Sequence, residues 1–180
     1  MEKKLIFLIG FMGSGKSTIG PVLANAIGWH FIDLDLTIEQ HVQLPIHEIF
    51  ALKGESFFRA IEKEMLSHVS TMDNAVVATG GGMSCDQENR NLMHASGIQI
   101  WLQWHPDNLL KNAKNAGHLR PLLKDDDSFL ELYYSRKQYY ETADIIISCD
   151  NLTIQDIVNT ILQSVTKYNI IDNDEVLDIV

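Results

Sequence analysis

The stretch Gly10-Phe11-Met12-Gly13-Ser14-Gly15-Lys16-Ser17 constrains the fold of this 180-residue chain more than any other. It has the form G-x-x-x-x-G-K-[ST], a loop that cradles phosphate groups. Its surroundings support that reading. Residues 5–9, Leu-Ile-Phe-Leu-Ile, are apolar throughout, the pattern of a strand buried on both faces. Residues 17–27 carry Ile19, Val22, Leu23, Ala26 and Ile27 at helical spacing. A glycine-rich turn that binds nothing would not need strand, loop and helix in this register. The glycines let backbone N–H groups converge on phosphate oxygens, and the helix N-terminus adds partial positive charge. Gly13, Ser14, Gly15, Lys16, Ser17 and Thr18 are therefore the nucleotide-binding candidates. Lys16 is expected to reach the β- and γ-phosphates, and the Ser17 hydroxyl to ligate Mg²⁺.

A nucleoside triphosphate is strongly anionic, and the chain carries a formal net charge of −10. That balance argues against a nucleic-acid surface and makes each cation informative. Only four arginines occur, Arg59, Arg90, Arg120 and Arg136, and they are the first candidates to concentrate positive charge. No apolar run reaches the roughly 18 residues of a membrane span, and the N-terminus reads as a strand rather than a signal peptide. The two cysteines, Cys85 and Cys149, and the seven scattered histidines make no metal spacing. Reduced thiols and a cytoplasmic location are expected.

A second strand, residues 29–33, ends in Asp33-Leu34-Asp35. Alternate residues on a strand point the same way, so both carboxylates are expected to face one cavity, unless one of them caps the helix expected over 36–42. Pro45 opens a short helix to about Leu52. A longer one follows Gly54 to about Val69, with Phe58, Ile61, Met65 and Val69 as its buried stripe and Arg59 able to pair with Glu62. The third strand, residues 75–79, runs directly into Gly80-Gly81-Gly82, where the lack of side chains permits close approach of a ligand to backbone. Arg90 falls on a helix over 86–95 and reads as part of a solvated face. After a fourth strand (97–102), a helix of about two turns starts at Pro106. Residues 112–127 lack a clear period and read as a mobile lid containing Arg120. A helix from Ser128 carries Arg136, Tyr139 and Tyr140. A fifth strand (143–148) leads to a last helix capped by Thr153, with Ile154, Ile157, Val158, Ile161, Leu162 and Val165 on its inner face. The alternation predicts one α/β domain over 1–168, built on a parallel sheet, followed by an acidic tail, 169–180.

Together these segments resemble shikimate kinase over nearly the whole chain. The matching pieces are the phosphate loop at 10–17, Phe-Ile-Asp-Leu-Asp at 31–35, Gly-Glu-Ser-Phe-Phe-Arg-Ala-Ile-Glu at 54–62, Ala-Thr-Gly-Gly-Gly at 78–82, Arg-Pro-Leu-Leu at 120–123, and Arg136 followed by Tyr140. Many kinases share the loop; the set in this order is specific. The resemblance implies a P-loop kinase fold with sheet order 2-3-1-4-5. It also implies transfer of the ATP γ-phosphate to the 3-hydroxyl of shikimate by a monomer that needs Mg²⁺. By the same resemblance Ser17 and Asp33 hold Mg²⁺, and Asp35 takes a shikimate hydroxyl. Arg59, Gly80, Gly81, Gly82 and Arg136 hold the ring and its carboxylate, and Arg120 swings in with the lid. Glu62 then orients Arg59.

Two departures stand out. Many relatives carry an arginine near the start of the lid that covers the adenine, where Lys111-Asn112-Ala113-Lys114 offers only lysines. The acidic tail also runs past the usual last helix. A different small-molecule kinase, such as gluconate kinase, would keep the loop without needing Asp35, Arg59, the glycines and Arg136 together. A non-catalytic binding domain would have lost Lys16, an acid of the Asp-x-Asp, or Arg120.

Overall fold

A computed structural model describes residues 5–115, 125–168 and 170–171. Strands β1 (Leu5–Ile9), β2 (His30–Asp33), β3 (Ala75–Ala78), β4 (Ile98–Gln103) and β5 (Ile145–Ser148) form one sheet of order β2-β3-β1-β4-β5, parallel at every pairing. The position of each strand explains its sequence. The central strands β3, β1 and β4 are covered on both faces and read as nearly unbroken apolar runs. The edge strand β5 alternates buried and exposed residues.

Helices α1 (Lys16–Ala26) and α7 (Ile154–Lys167) close one face of the sheet over Ile6, Leu8, Ile100 and Ile147. On the other face Phe7, Ile9, Val77 and Trp101 pack with side chains of α4 (Gln87–Ser96), α5 (Pro106–Asn115) and α6 (Asp126–Tyr140). A third and much smaller cluster, Ile38, Ile49 and Phe58, joins α2 (Leu34–Val42) to α3 (Ile46–Val69). Gly54, at φ 82°, ψ 170°, breaks α3 into the two helical segments that the sequence pattern separates. Among the described residues no helix is long and apolar enough to cross a membrane.

Several expectations need correction. Helix α5 continues to Asn115, and Asp125 caps α6 through Ser128, so both ends of the expected lid are helical. Residues 116–124, including Arg120, lie outside the described residues. The buried line of the second half of α3 is Phe58, Glu62, Leu66 and Val69, with Ile61 and Met65 only partly covered. Ile154, the first residue after the Thr153 cap, is exposed rather than inward. Of the tail, Ile170 and Ile171 pack against the α1–α7 cluster, and 169 and 172–180 lie outside the described residues.

Candidate active site

The phosphate loop leaves β1 at Gly10 and enters α1 at Lys16. Among the described residues no side chain caps the start of that helix, so the N–H groups of Lys16 and Ser17 are left to face the loop. The conformation needs glycine. Gly13 and Gly15 have φ of 78° and 84°, and a Cβ on Gly13 would sit 2.6 Å from the Leu109 carbonyl of α5. The loop is braced from behind by neutral donors. Trp104 Nε1 donates to the Ser14 carbonyl at 3.1 Å, and Asn112 Nδ2 to the Gly13 carbonyl at 3.2 Å. Sequence reasoning missed Trp104 and placed Asn112 in the lid; both act on backbone, which leaves no motif. Lys16 Nζ turns into the loop and donates to the carbonyls of Gly10 and Phe11 at 2.8 and 2.9 Å.

Asp33 ends β2 and caps α2, accepting the Leu36 N–H at Oδ1; its Oδ2 accepts the Ser17 hydroxyl at 2.5 Å. The same carboxylate thus caps the helix and faces the start of α1. Asp35 lies in the first turn of α2, so strand alternation does not set its direction. Its Oδ1 is 2.8 Å from where a Cβ on Gly80 would lie, and Glu62 Oε1 is 2.9 Å from the same point.

Gly80 and Gly82 make room for charged side chains. A Cβ on Gly82 would sit 2.8 Å from Arg59 Nη1 and 2.9 Å from Nη2. Arg59 donates from Nη1 to Glu62 Oε2 at 2.6 Å and from Nη2 to Glu55 Oε1 at 3.1 Å. Burial alone would lower the pKa of this guanidinium, but Glu62, itself buried, and Glu55 hold it above its usual value. Gly81 backs onto the phosphate loop, 3.5 Å from the Met12 N–H nitrogen when measured from its Cβ position. The Gly81 carbonyl accepts from the Tyr140 hydroxyl. Burial keeps Tyr140 protonated well above its usual range, although Arg136 beside it pulls the other way. Arg136 also lies over the Phe11 ring, 5.9 Å from its centroid.

Arg90 is not on a solvated face. Its Nη1 donates to the Ser84 carbonyl at 2.6 Å, and its guanidinium stacks over Tyr139 at 5.0 Å. The charges of Arg136, Arg59 and Arg90 all reach Cys85, whose thiol is nonetheless raised by burial. Three of the chain's four arginines therefore converge beside the glycine turn. Among the described residues no group of three or more His, Cys, Asp or Glu is placed to hold a metal. The Ser17 hydroxyl and the Asp33 carboxylate are paired oxygen donors of the kind that fits a hard cation. An open groove of about 680 Å³ between α2 and α3, lined by His41, Lys63, Met65 and His68 among others, contains none of these residues.

The family model described as shikimate kinase matches residues 12–166. The chain is 41% identical over 164 residues to the shikimate kinase of Alkaliphilus oremlandii, covering 88% of this chain and 97% of that one. The solved shikimate kinase of Acinetobacter baumannii in complex with shikimate superposes with a TM-score of 0.86 at 31% identity, over 92% of this chain and 94% of the other. A gluconokinase from Sinorhizobium meliloti shares the fold alone, with a TM-score of 0.60 at 16% identity over 93% and 94% of the two chains.

Proposed function

The chain belongs to the shikimate kinase family, and on that premise we propose how its own residues carry the reaction. It is an ATP-dependent kinase that transfers the γ-phosphate to the 3-hydroxyl of shikimate, giving shikimate 3-phosphate and ADP. One observation carries the proposed division of labour. The glycine turn packs against the phosphate loop, so a ligand on the turn and a phosphate in the loop are neighbours.

On the nucleotide side, the loop residues 13–18 hold the β- and γ-phosphates through backbone N–H groups, with Lys16 exchanging its loop carbonyls for phosphate oxygens. Ser17 and Asp33 hold Mg²⁺, supported by their 2.5 Å contact. When bound, the ion neutralises charge on the β- and γ-phosphate oxygens. On the acceptor side, Arg59 and Arg136 take the shikimate carboxylate, for which the planar guanidinium fork is suited. Asp35, beside Gly80, accepts a hydrogen bond from the hydroxyl that attacks. The hydroxyl oxygen bonds to the γ-phosphorus as the bond to the β–γ bridging oxygen breaks. The hydroxyl proton passes to the Asp35 carboxylate. The transition state is loose, so positioning and charge supply most of the acceleration, with Arg120 meeting the transferring group from 116–124. We place the chain in the cytoplasm, supported by its two free cysteines, and take it to act as a monomer.

Coupled ADP release with shikimate, with gluconate and with no acceptor tests the reading. Shikimate-dependent release is expected. Equal rates with gluconate, or none with shikimate at saturating Mg²⁺ and ATP, would reject it.

A further inference from the structure

A run of three glycines can be shaped by its own hydrogen bonds but has no side chains to hold it in place. The turn after β3 does the first internally, as Gly80 and Gly82 carbonyls accept the N–H groups of Met83 and Cys85 at 3.1 and 3.0 Å. Its position relative to the rest of the site depends on donors from outside. Among the side-chain donors described, the Gly81 carbonyl accepts from Tyr140 of α6, and the Met83 and Ser84 carbonyls accept from Asn89 and Arg90 of α4. Arg90 does more than donate. Its guanidinium nitrogens bind Ser84 at 2.6 Å and Gln87, while its central carbon lies over the Tyr139 ring, 5.0 Å from the centroid. Tyr139 adjoins Tyr140 and lies one helical turn from Arg136. A single planar cation therefore touches both the helical turn Met83–Cys85, which continues directly from the glycines, and the helix bearing Arg136.

We propose that Arg90 is a positioning residue for the acceptor, fixing the glycine turn and its neighbour Arg59 in register with Arg136. Arg90 itself contacts a backbone carbonyl and a ring, not the reacting atoms. The two arginines proposed to hold the carboxylate come from different elements, α3 and α6. Bidentate recognition by two separate forks needs their spacing held to a fraction of an ångström. Lysine could supply the donor or the cation over the ring, but lacks the flat fork that does both at once. The inference rests on the assignment of shikimate to the acceptor side.

The test is steady-state kinetics of the full chain, with melting temperatures, for Arg90→Met, Arg90→Lys and Tyr139→Leu. Arg90→Met keeps much of the side chain's bulk but removes the donors and the charge. It should raise KM for shikimate about tenfold while KM for ATP stays within about twofold. Arg90→Lys should recover part of the loss. Tyr139→Leu should raise KM for shikimate by less and add little in the double variant with Arg90→Met, because both remove one shared contact. An unchanged KM for shikimate in folded Arg90→Met, even with a lower melting temperature, would overturn the proposal, and so would equal rises for both substrates. If Arg90→Met does not fold, Tyr139→Leu decides: it must raise KM for shikimate alone. Wild-type turnover with shikimate is read in the same assay, so failure of the acceptor assignment would show there before any variant is compared.

Discussion

The phosphate loop and the glycine turn both follow a buried strand, β1 and β3, at the same edge of the sheet, and they touch each other. They are held by different means. Apart from its own Lys16, which donates to the Gly10 and Phe11 carbonyls, the loop is braced by neutral groups, Trp104 and Asn112, and by close packing on α5. The turn is surrounded by charge: Arg59 with Glu62 and Glu55, Arg136 beside Tyr140, Arg90 on Ser84 and Tyr139. The contrast follows from what each half is proposed to bind. Phosphate oxygens are satisfied by backbone N–H groups, which need only the right curvature. A carboxylate on a carbocyclic ring must be met by side chains of fixed direction, and these need partners of their own in a half-buried setting.

The sharpest way to break this contrast is at Lys16, the one cation of the loop side that lies among the described site residues. Lys16→Ala should lower turnover by about 10²–10³ with little change in shikimate affinity, read from kcat and a shikimate titration. A large loss of shikimate binding would mean the halves are not separable. Arg59→Ala and Arg136→Ala should do the converse. Each should weaken shikimate binding by about 1.5–3 kcal/mol and spare the nucleotide, as calorimetric titration with each ligand would show. The border between the halves runs through Asp33 and Asp35. Asp33→Asn should raise the Mg²⁺ needed for half-maximal rate about tenfold and be partly rescued by more Mg²⁺. Asp35→Asn should lower turnover at every Mg²⁺ concentration; the opposite pattern would exchange their roles. The smallest effect is expected at Asn112→Ala, which removes one neutral donor to the loop. It should weaken nucleotide binding by about 0.5–1.5 kcal/mol and leave shikimate affinity unchanged.

Much of this was readable in the amino acids because the central strands are buried on both faces and so appear as plain apolar runs. The phosphate loop is equally legible, since its spacing is dictated by the backbone. Asp35 was misplaced because a strand end and a helix cap share the same residues; only the chain direction after Asp33 tells them apart. The length of α5 was hidden by Asn112, Lys114 and Asn115, polar residues that suit a loop as well as a helix. Arg90 looked solvated because its partners, a carbonyl and a ring on another helix, leave no local pattern. Arg59 and Glu62, three apart on one helix, were legible for the opposite reason.

The small cluster of Ile38, Ile49 and Phe58 has a kinetic consequence. Helix α2 and the first half of α3 pack mainly on that core, joined to the rest through Leu34 and through Phe58, which lies beyond the Gly54 kink. Local opening free energy tracks the apolar contact that opening would expose. Backbone amides of α2 and of α3 before Gly54 should therefore exchange with deuterium well before those of β1 or β3, without global unfolding. Asp33 and Asp35 stand at one border of that region and Arg59 at the other. An acceptor that bridges Asp35 and Arg59 would tie the two borders together, and its binding should appear as slowed exchange along α2 and the first half of α3, well beyond the residues it touches.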